Sequence, residues 1–216
     1  MIRDQLVLDQ ILATVNQFVT ERLRPLEDKV AAEDHIPEGV VAAMREMGLF
    51  GLTIPEEYGG LGMTAEEEMH LAFALGQTSP AFRSLLGTNN GIGSQGIVID
   101  GTAAQRNEWL PALAAGEVIG SFALTEPDAG SDAASLQTRA DRVGDDFVLN
   151  GTKRYITNAP EAGLFTVMAR TNPAVGGAAG VSAFLVPADT AGVAIGAPER
   201  KMGQQGSHVA DVTFSD

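Results

Sequence analysis

The stretch FALTEPDAGSDAAS, Phe122–Ser135, changes character abruptly along its length. An apolar run ends at a Thr-Glu-Pro, and a glycine, small hydroxyls and aspartates follow. Pro127 fixes one backbone angle, and Gly130 lets another group approach the main chain closely. The pattern predicts a corner at the end of a strand. Its main-chain donors and hydroxyls suit a phosphate or the polar edge of a flat ring.

Two other interpretations of this stretch come from spacing alone. The first is a plain structural loop in which Asp128 and Asp132 make local turns, and spacing by itself favours it. The second is a calcium loop, which lacks support because the alternating oxygen ligands and the glutamate at the twelfth position are missing.

The segment NGTKRYITN at 150–158 supplies a second indication. Its opening Asn-Gly pair predicts a turn, and alternation in the strand after it places Tyr155 and Thr157 on one face and Ile156 on the other. An aromatic ring and a hydroxyl two residues apart suit the face and edge of a flat ligand. Taken alone, a tyrosine in a strand more often packs in a core.

Outside these segments, the hydrophobic period divides the chain in two. Apolar residues first recur at three and four, as in amphipathic helices, and later in short runs rich in β-branched and aromatic residues. The expected helices are 3–23, ended by Pro25, then 37–48, 64–77, a glycine-rich stretch 79–99, and 102–114. Helices 64–77 and 102–114 each begin with a capping box. The expected strands are 119–124, 147–149, 154–157, 165–170, 181–186 and 209–214. The predicted fold class is α+β, with an N-terminal all-α bundle over 1–118 and a small β-barrel or sandwich domain over 119–216.

The hexapeptide GIGSQG at 91–96 matches the glycine fingerprint of dinucleotide-binding folds. That fingerprint requires a buried strand before it and a crossover helix after it. Neither is predicted, because no β-branched run precedes it and Gly101 follows too soon. Small residues that allow a close approach of another helix or a thin ligand are the better interpretation.

Composition and charge exclude several function classes. Twenty-eight acidic and fourteen basic residues give a net charge of -14, which repels nucleic acid. No window is apolar enough to span a membrane, and the N-terminus lacks the order of a signal peptide, so the expected compartment is cytoplasmic. Because cysteine is absent and three histidines are scattered, no protein-bound metal is expected.

Three motifs together resemble the acyl-CoA dehydrogenase family. They are ALTEPDAGSDAAS at 123–135, NGTKRYITNA at 150–159 and RKMGQQGS at 200–207. A helical region with a PEEYGGLG link at 55–62, followed by a β domain, agrees with the family's order of domains. The resemblance therefore covers essentially the whole chain.

The resemblance implies that FAD lies along Phe122–Ser131. Leu124 and Thr125 would lie near the flavin ring, with Gly130 and Ser131 near the pyrophosphate. Ser131 would also meet the CoA arm of the substrate.

The second motif would complete the ring site. Tyr155 would lie beside the isoalloxazine, at a position where the family often has Trp, and both rings offer a broad face for stacking. Ile156 would adjoin it, and the Thr157 hydroxyl would lie near the reactive N5.

The activity implied is FAD-dependent α,β-dehydrogenation of an acyl-CoA thioester in fatty acid metabolism, with electrons passed to an electron-transfer flavoprotein. In the family, a glutamate of a C-terminal helical domain removes the proton from the carbon next to the carbonyl. No glutamate here matches that base, and Glu126 is interpreted as a structural turn residue. The chain is therefore expected to hold a flavin and substrate cradle without a catalytic residue, and to be inactive alone.

Three alternatives stay open from the sequence. Two are enzymes of the same fold, an acyl-CoA oxidase or a flavin monooxygenase, because no motif reports how well the flavin is shielded from oxygen. The third is a non-catalytic acyl-CoA-binding module. For the complete enzyme the resemblance implies a homodimer or homotetramer.

Overall fold

The computed structural model describes residues 2–216. The chain forms two compact units, which confirms the predicted α+β class. The helical unit runs to Val118 and takes in Lys201–Ser207, and the β unit comprises Ile119–Arg200 and His208–Asp216. The RKMGQQGS segment thus divides, with its last seven residues in the helical unit.

The helices of the helical unit overlap the predicted helical stretches, except for the second, which was not predicted. They are α1 Gln5–Phe18, α2 Glu27–Glu33, α3 Glu38–Glu46, α4 Ala65–Leu75, α5 Pro80–Thr88, α6 Gln95–Asp100 and α7 Ala103–Ala115. Both predicted capping boxes are confirmed: the Thr64 and Thr102 side chains accept from the main chain three residues on, and Glu67 and Gln105 reach back. Gly48, at φ 69°, ends the turn after α3.

The prediction that Pro25 ends the first helix is wrong. After α1 the chain continues as a π-helical turn, Val19–Leu23, and a 3-10 turn, Arg24–Leu26, before α2. The Arg24 N–H donates to the Val19 carbonyl, and this wider turn relieves the crowding that a proline ring causes in an α-helix. Pro25 then lies in the first turn of a new helical segment, where its missing N–H is not needed.

Helical structure on both sides confirms the rejection of the dinucleotide fingerprint at 91–96. Helix α5 precedes the glycines, a π-helical turn covers Asn89–Gly93, and the short helix α6 follows. No strand lies before the motif in this part of the described chain, so the phosphate-binding arrangement of a βαβ unit is not formed.

Residues 119–216 contribute seven strands to one mixed sheet. They are β1 Gly120–Ala123, β2 Arg139–Val143, β3 Asp146–Thr157, β4 Leu164–Arg170, β5 Val181–Pro187, β6 Val193–Ile195 and β7 Val209–Phe214. The order is β1-β4-β2-β3-β7-β6, with β5 paired to β4. Strands β1 and β4 run parallel, whereas β2 with β3 and β3 with β7 are antiparallel. This curled sheet is the predicted barrel-like half, although β2 and β6 lie outside the predicted strands.

The predicted turn at Asn150-Gly151 is also wrong. Both residues lie inside β3, where Asn150 pairs with Arg139 and Gly151 pairs with Phe214. The hairpin turn instead precedes β3, at Gly144-Asp145. Glycine is required at 151 for another reason, since a Cβ there would lie 2.4 Å from the Thr138 Oγ1.

The core of the β unit lies against β3, β4 and β7. Its largest members are Ile156, Phe165, Val167, Val212 and Phe214, all buried. Burying apolar side chains on one face explains why β7 alternates between buried and more exposed residues. Across residues 2–216 no helix has both the length and the apolar character needed to cross a membrane.

Candidate cofactor-binding site

The predicted corner exists and begins where β1 ends, at Ala123. We use the name corner for Leu124–Ser131. Within it Glu126 and Ala129 form a two-residue bridge, in which each N–H donates to the other's carbonyl at 3.0 and 3.2 Å. Pro127 and Asp128 occupy the exposed turn between them. The Thr-Glu-Pro sequence therefore makes a tight local hairpin, and Gly130 and Ser131 leave it toward solvent.

Hydrogen bonds join the corner to the end of β3. The Arg154 N–H donates to the Thr125 carbonyl at 2.7 Å. The Ser121 hydroxyl, on β1, donates to the Thr157 carbonyl at 2.7 Å. The two segments that carry the sequence motifs thus lie side by side in the same unit.

A β-bulge interrupts the regular alternation that was predicted for the end of β3. Pairing with β7 shifts between Lys153 and Ile156, and Tyr155 has a φ of 57°. The Tyr155 N–H donates to the Asp211 carboxylate at 3.3 Å instead of to the ladder. As a result Lys153 and Ile156, three positions apart, are both buried, which regular alternation does not allow.

The bulge leaves the Tyr155 ring in the open. Its side chain is 56% exposed, and the Arg154 guanidinium lies 5.0 Å from the ring centroid. Ile156, by contrast, packs in the β-unit core, so it can reach a ligand only through its main chain. Thr157 is half-buried.

A buried ion pair joins the corner, through Glu126, to Lys153 of β3. The Lys153 ammonium is fully buried and donates to Glu126 Oε1 at 2.8 Å and to the Leu124 carbonyl at 3.1 Å. Glu126 also accepts the main-chain N–H groups of Gln137 and Thr138. The carboxylate is thus shared between a cation and two amides at the start of β2.

These contacts determine the charge state of the pair. Burial by itself raises the pKa of Glu126, but the hydrogen bonds from Lys153, Thr138 and Gln137 outweigh it and hold that pKa below its usual range. Burial lowers the pKa of Lys153, and the neighbouring Glu126 carboxylate opposes that change. Glu126 is therefore an ionised acceptor whose oxygens are already engaged.

The exposed end of the corner fits a phosphate-bearing ligand. Among residues 2–216, no hydrogen bond uses the N–H of Gly130 or Ser131, or the Ser131 hydroxyl, as a donor. A Cβ added at Gly130 would meet nothing within 4 Å, so a ligand can approach the main chain there. Free donors and open backbone match the phosphate part of FAD, and the exposed ring of Tyr155 matches its planar part.

The remaining predicted residues lie in β1 and at the start of the corner. Phe122 is half-buried in β1, paired with Thr166 of β4. Leu124 and Thr125 are half-buried at the start of the corner. The structure thus brings all the predicted site residues onto β1, the corner and the end of β3.

Sequence reasoning missed the role of Lys153. It lies between Thr152 and Arg154, and a lysine in such a polar run carries no local sign of burial. Its partner Glu126 is far away in the sequence. Only the pairing of β3 with its neighbours shows that the two charges meet.

The chain belongs to the acyl-CoA dehydrogenase family. The family model described as acyl-CoA dehydrogenase, N-terminal domain, matches residues 8–117, and the model described as acyl-CoA dehydrogenase, middle domain, matches residues 121–216. The resemblance inferred from the three motifs is therefore confirmed.

Curated relatives carry the same family name. The chain is 36% identical to the very long-chain specific acyl-CoA dehydrogenase of Macaca fascicularis mitochondria, over 99% of this chain and 36% of that protein. It is 34% identical to an acyl-CoA dehydrogenase of Bacillus subtilis, over 94% of this chain and 53% of that protein. The chain thus spans between about a third and about half the length of these relatives.

Solved structures share the fold closely. A glutaryl-CoA dehydrogenase from Mycobacterium smegmatis, in complex with FADH2, superposes with a TM-score of 0.89 at 36% identity, over 99% of this chain and 53% of that one. A chain in the structure described as the electron transferring flavoprotein of Acidaminococcus fermentans gives 0.93 at 31% identity, over 100% and 57%. The prolyl acyl carrier protein oxidase AnaB gives 0.90 at 28%, over 99% and 57%.

Proposed function

We propose that the corner and the end of β3 bind FAD, and that the enzyme containing this chain dehydrogenates an acyl-CoA thioester between its α and β carbons. The observation that carries the proposal is the hydrogen-bonded junction of these two segments, which leaves the donors of Gly130 and Ser131 and the ring of Tyr155 open. The family and the FADH2-bound glutaryl-CoA dehydrogenase support it.

Each site residue has a part in this proposal. The N–H groups of Gly130 and Ser131 donate to pyrophosphate oxygens, and the Ser131 hydroxyl also meets the CoA arm of the substrate. Tyr155 stacks beside the ring, and the Thr157 hydroxyl donates toward its N5 edge. Phe122, Leu124, Thr125 and the main chain of Ile156 line the rest of the ring site.

FAD, held by the corner and the end of β3, would supply an acceptor for the hydride of the β carbon. The proton at the α carbon requires a base on the opposite face. Glu126 is not suited to that task, because Lys153 and two main-chain amides engage its oxygens. We expect the base to be a glutamate outside these 216 residues, and we expect the chain alone to retain FAD weakly with negligible turnover.

Further parts of the proposal concern the complete enzyme. Electrons pass to an electron-transfer flavoprotein, which the fold match to a chain of the Acidaminococcus fermentans structure supports. The helical domain covers 1–118 and the middle β domain 119–216. A cytoplasmic location and a homodimer or homotetramer are proposed with it.

Anaerobic spectroscopy tests the proposal. The natural gene product that carries this chain is loaded with FAD and titrated with acyl-CoA thioesters of different chain lengths. We expect the visible absorption of the oxidised flavin to bleach on mixing. A protein that binds no FAD contradicts the proposal, and acyl-CoA binding without bleaching indicates a non-catalytic binding module.

An oxidase of the same fold is the second candidate. The match to the prolyl acyl carrier protein oxidase AnaB supports it, because that protein has the same fold over almost the whole of this chain. Under air, an oxidase produces hydrogen peroxide in proportion to the substrate consumed, whereas a dehydrogenase requires an added electron acceptor. Stoichiometric peroxide without an acceptor would favour the oxidase.

A further inference from the structure

We infer that Glu126 and Lys153 form a positioning pair that sets the shape of the FAD site without touching the cofactor. This inference rests on the proposed function, since it assigns a role in cofactor binding to two residues whose side chains are buried within or next to the corner. Neither residue belongs to the predicted site. Their contacts identify them.

The pair acts on the corner at two points. Lys153 Nζ holds the Leu124 carbonyl at 3.1 Å, directly before Thr125. The same ammonium holds the Glu126 carboxylate at 2.8 Å, directly after Thr125. Since the Thr125 carbonyl is itself held by the Arg154 N–H at 2.7 Å, three consecutive residues of the corner are fixed to neighbouring residues of β3.

Glu126 extends this attachment to a second strand. Its oxygens accept the N–H groups of Gln137 and Thr138, which lead into β2. Strand β2 pairs with β3 along its whole length. The carboxylate therefore joins the corner, β2 and β3 at a single buried point, where hydrogen bonds to a charged group are strong.

The ligand-facing part of the corner has no such attachment of its own. Gly130 and Ser131 are exposed, and inside the described chain their N–H groups make no hydrogen bond. Their positions depend on the bridge between Glu126 and Ala129 immediately before them. Loss of the carboxylate charge is therefore expected to move the donors that would meet the pyrophosphate.

A matched control exists in the helical unit. Glu67 is also a buried carboxylate that accepts two main-chain N–H groups, from Arg3 and Thr64, and the side chain of a cation, Arg3. Glu126→Gln and Glu67→Gln thus each remove a buried carboxylate charge that accepts two main-chain N–H groups, although the Arg3 side chain is half-exposed and Lys153 is fully buried. Only Glu126 lies in the corner of the proposed cofactor site.

The experiment measures FAD affinity, the visible circular dichroism of bound flavin, and thermal stability of the apoprotein, in the natural gene product. For Glu126→Gln we expect the FAD dissociation constant to rise about tenfold or more, with a changed flavin dichroism at saturating FAD. For Glu67→Gln we expect a lower melting temperature, a dissociation constant within about twofold of wild type, and an unchanged spectrum.

Three results would overturn the inference. The first is a wild-type dissociation constant and spectrum for Glu126→Gln, and the second is an equal loss of FAD affinity in Glu67→Gln. If Glu126→Gln does not fold, the double variant Glu126→Gln/Lys153→Met removes both charges and leaves no lone buried ion. This double variant should also bind FAD about tenfold more weakly, because the Leu124 carbonyl loses its donor. Wild-type FAD affinity in the double variant would be the third result against the inference. A wild-type protein that binds no FAD refutes the proposed function itself, and this inference with it.

Discussion

Tyr155 shows how a single residue combines strain with exposure. Its φ of 57° is rare for a bulky side chain and costs about 1–3 kcal/mol. The ring gains little from burial, because more than half of it is exposed. Its contact with the Arg154 guanidinium contributes only about 0.5–1 kcal/mol at such a site. A strained and exposed aromatic residue at this position supports the proposed role of Tyr155 in ligand binding.

Replacing Tyr155 should separate stability from cofactor binding. Asn adopts positive φ more readily than Tyr, so the apoprotein of Tyr155→Asn should be at least as stable as wild type in urea unfolding. Its FAD dissociation constant should rise about three- to tenfold because a stacking face is lost. Tyr155→Trp is the control and should keep wild-type affinity. Lower stability of Tyr155→Asn together with unchanged FAD binding would refute this reading of the bulge.

Glu67 should make the helical unit sensitive to acid. Main-chain hydrogen bonds from Arg3 and then Thr64 lower the pKa of Glu67 from 4.5 to about 2. A lowered pKa means that the stabilisation is complete above pH 4.5 and is lost as the pH falls toward 2. The difference in melting temperature between wild type and Glu67→Gln should therefore shrink over that range. The exposed Glu57→Gln serves as control, and a difference that stays constant from pH 7 to pH 2.5 would count against the assignment.

At the level of elements, strand β3 joins two parts of the sheet. It pairs with β2 at its start and with β7 at its end, and the change of partner falls at Gly151. There the backbone comes so close to Thr138 that a side chain has no room. Thr138 in turn donates its N–H to Glu126, so this close approach also places an amide for the buried carboxylate.

Two glycine variants should therefore behave differently. In Gly151→Ala the new methyl would lie 2.4 Å from Thr138 Oγ1 and 2.7 Å from Thr138 Cα, so we expect a loss of about 1–3 kcal/mol in unfolding free energy. Gly130→Ala meets open space and should stay within about 0.5 kcal/mol of wild type. Urea unfolding of both apoproteins provides the measurement. Equal losses in the two variants would contradict the steric account.

Sequence patterns predicted the ends of elements correctly where contacts within a few residues determine them. The capping boxes at Thr64 and Thr102 fix helix starts through contacts within four residues, and the structure has them. Pro25 and the Asn-Gly pair at 150–151 misled because tertiary structure decided their conformation. A π-helical turn accommodates the proline, and neighbouring strands extend the Asn-Gly pair.

The candidate site could be predicted from the sequence only in part, because tertiary contacts also determine its conformation. Its solvent-facing residues lie in two contiguous motifs, which the sequence shows directly. The bulge at Tyr155 and the burial of Lys153 depend on pairing with β7 and on contact with Glu126. Such long-range contacts leave no periodic signal in the chain.

At the scale of the whole molecule, composition excluded classes of function, and the resemblance identified the family. The net charge of -14 argued against nucleic acid, but no composition distinguishes a flavoenzyme from other acidic proteins. The division into a helical and a β unit followed from hydrophobic period. The three motifs led to the proposed chemistry, and the family models confirm the family itself.

The pairing of Glu126 with Lys153 has a consequence for how this sequence can evolve. A lone charge at that buried position would destabilise the fold by about 3–5 kcal/mol. A substitution that removes the charge of one partner should therefore be accompanied by a substitution of the other. The two positions should therefore covary among relatives. When genes of relatives are recombined, a crossover between positions 126 and 153 should give a folded protein only if the two parents carry compatible residues at both positions. The segment 126–153 should therefore be exchanged as one unit.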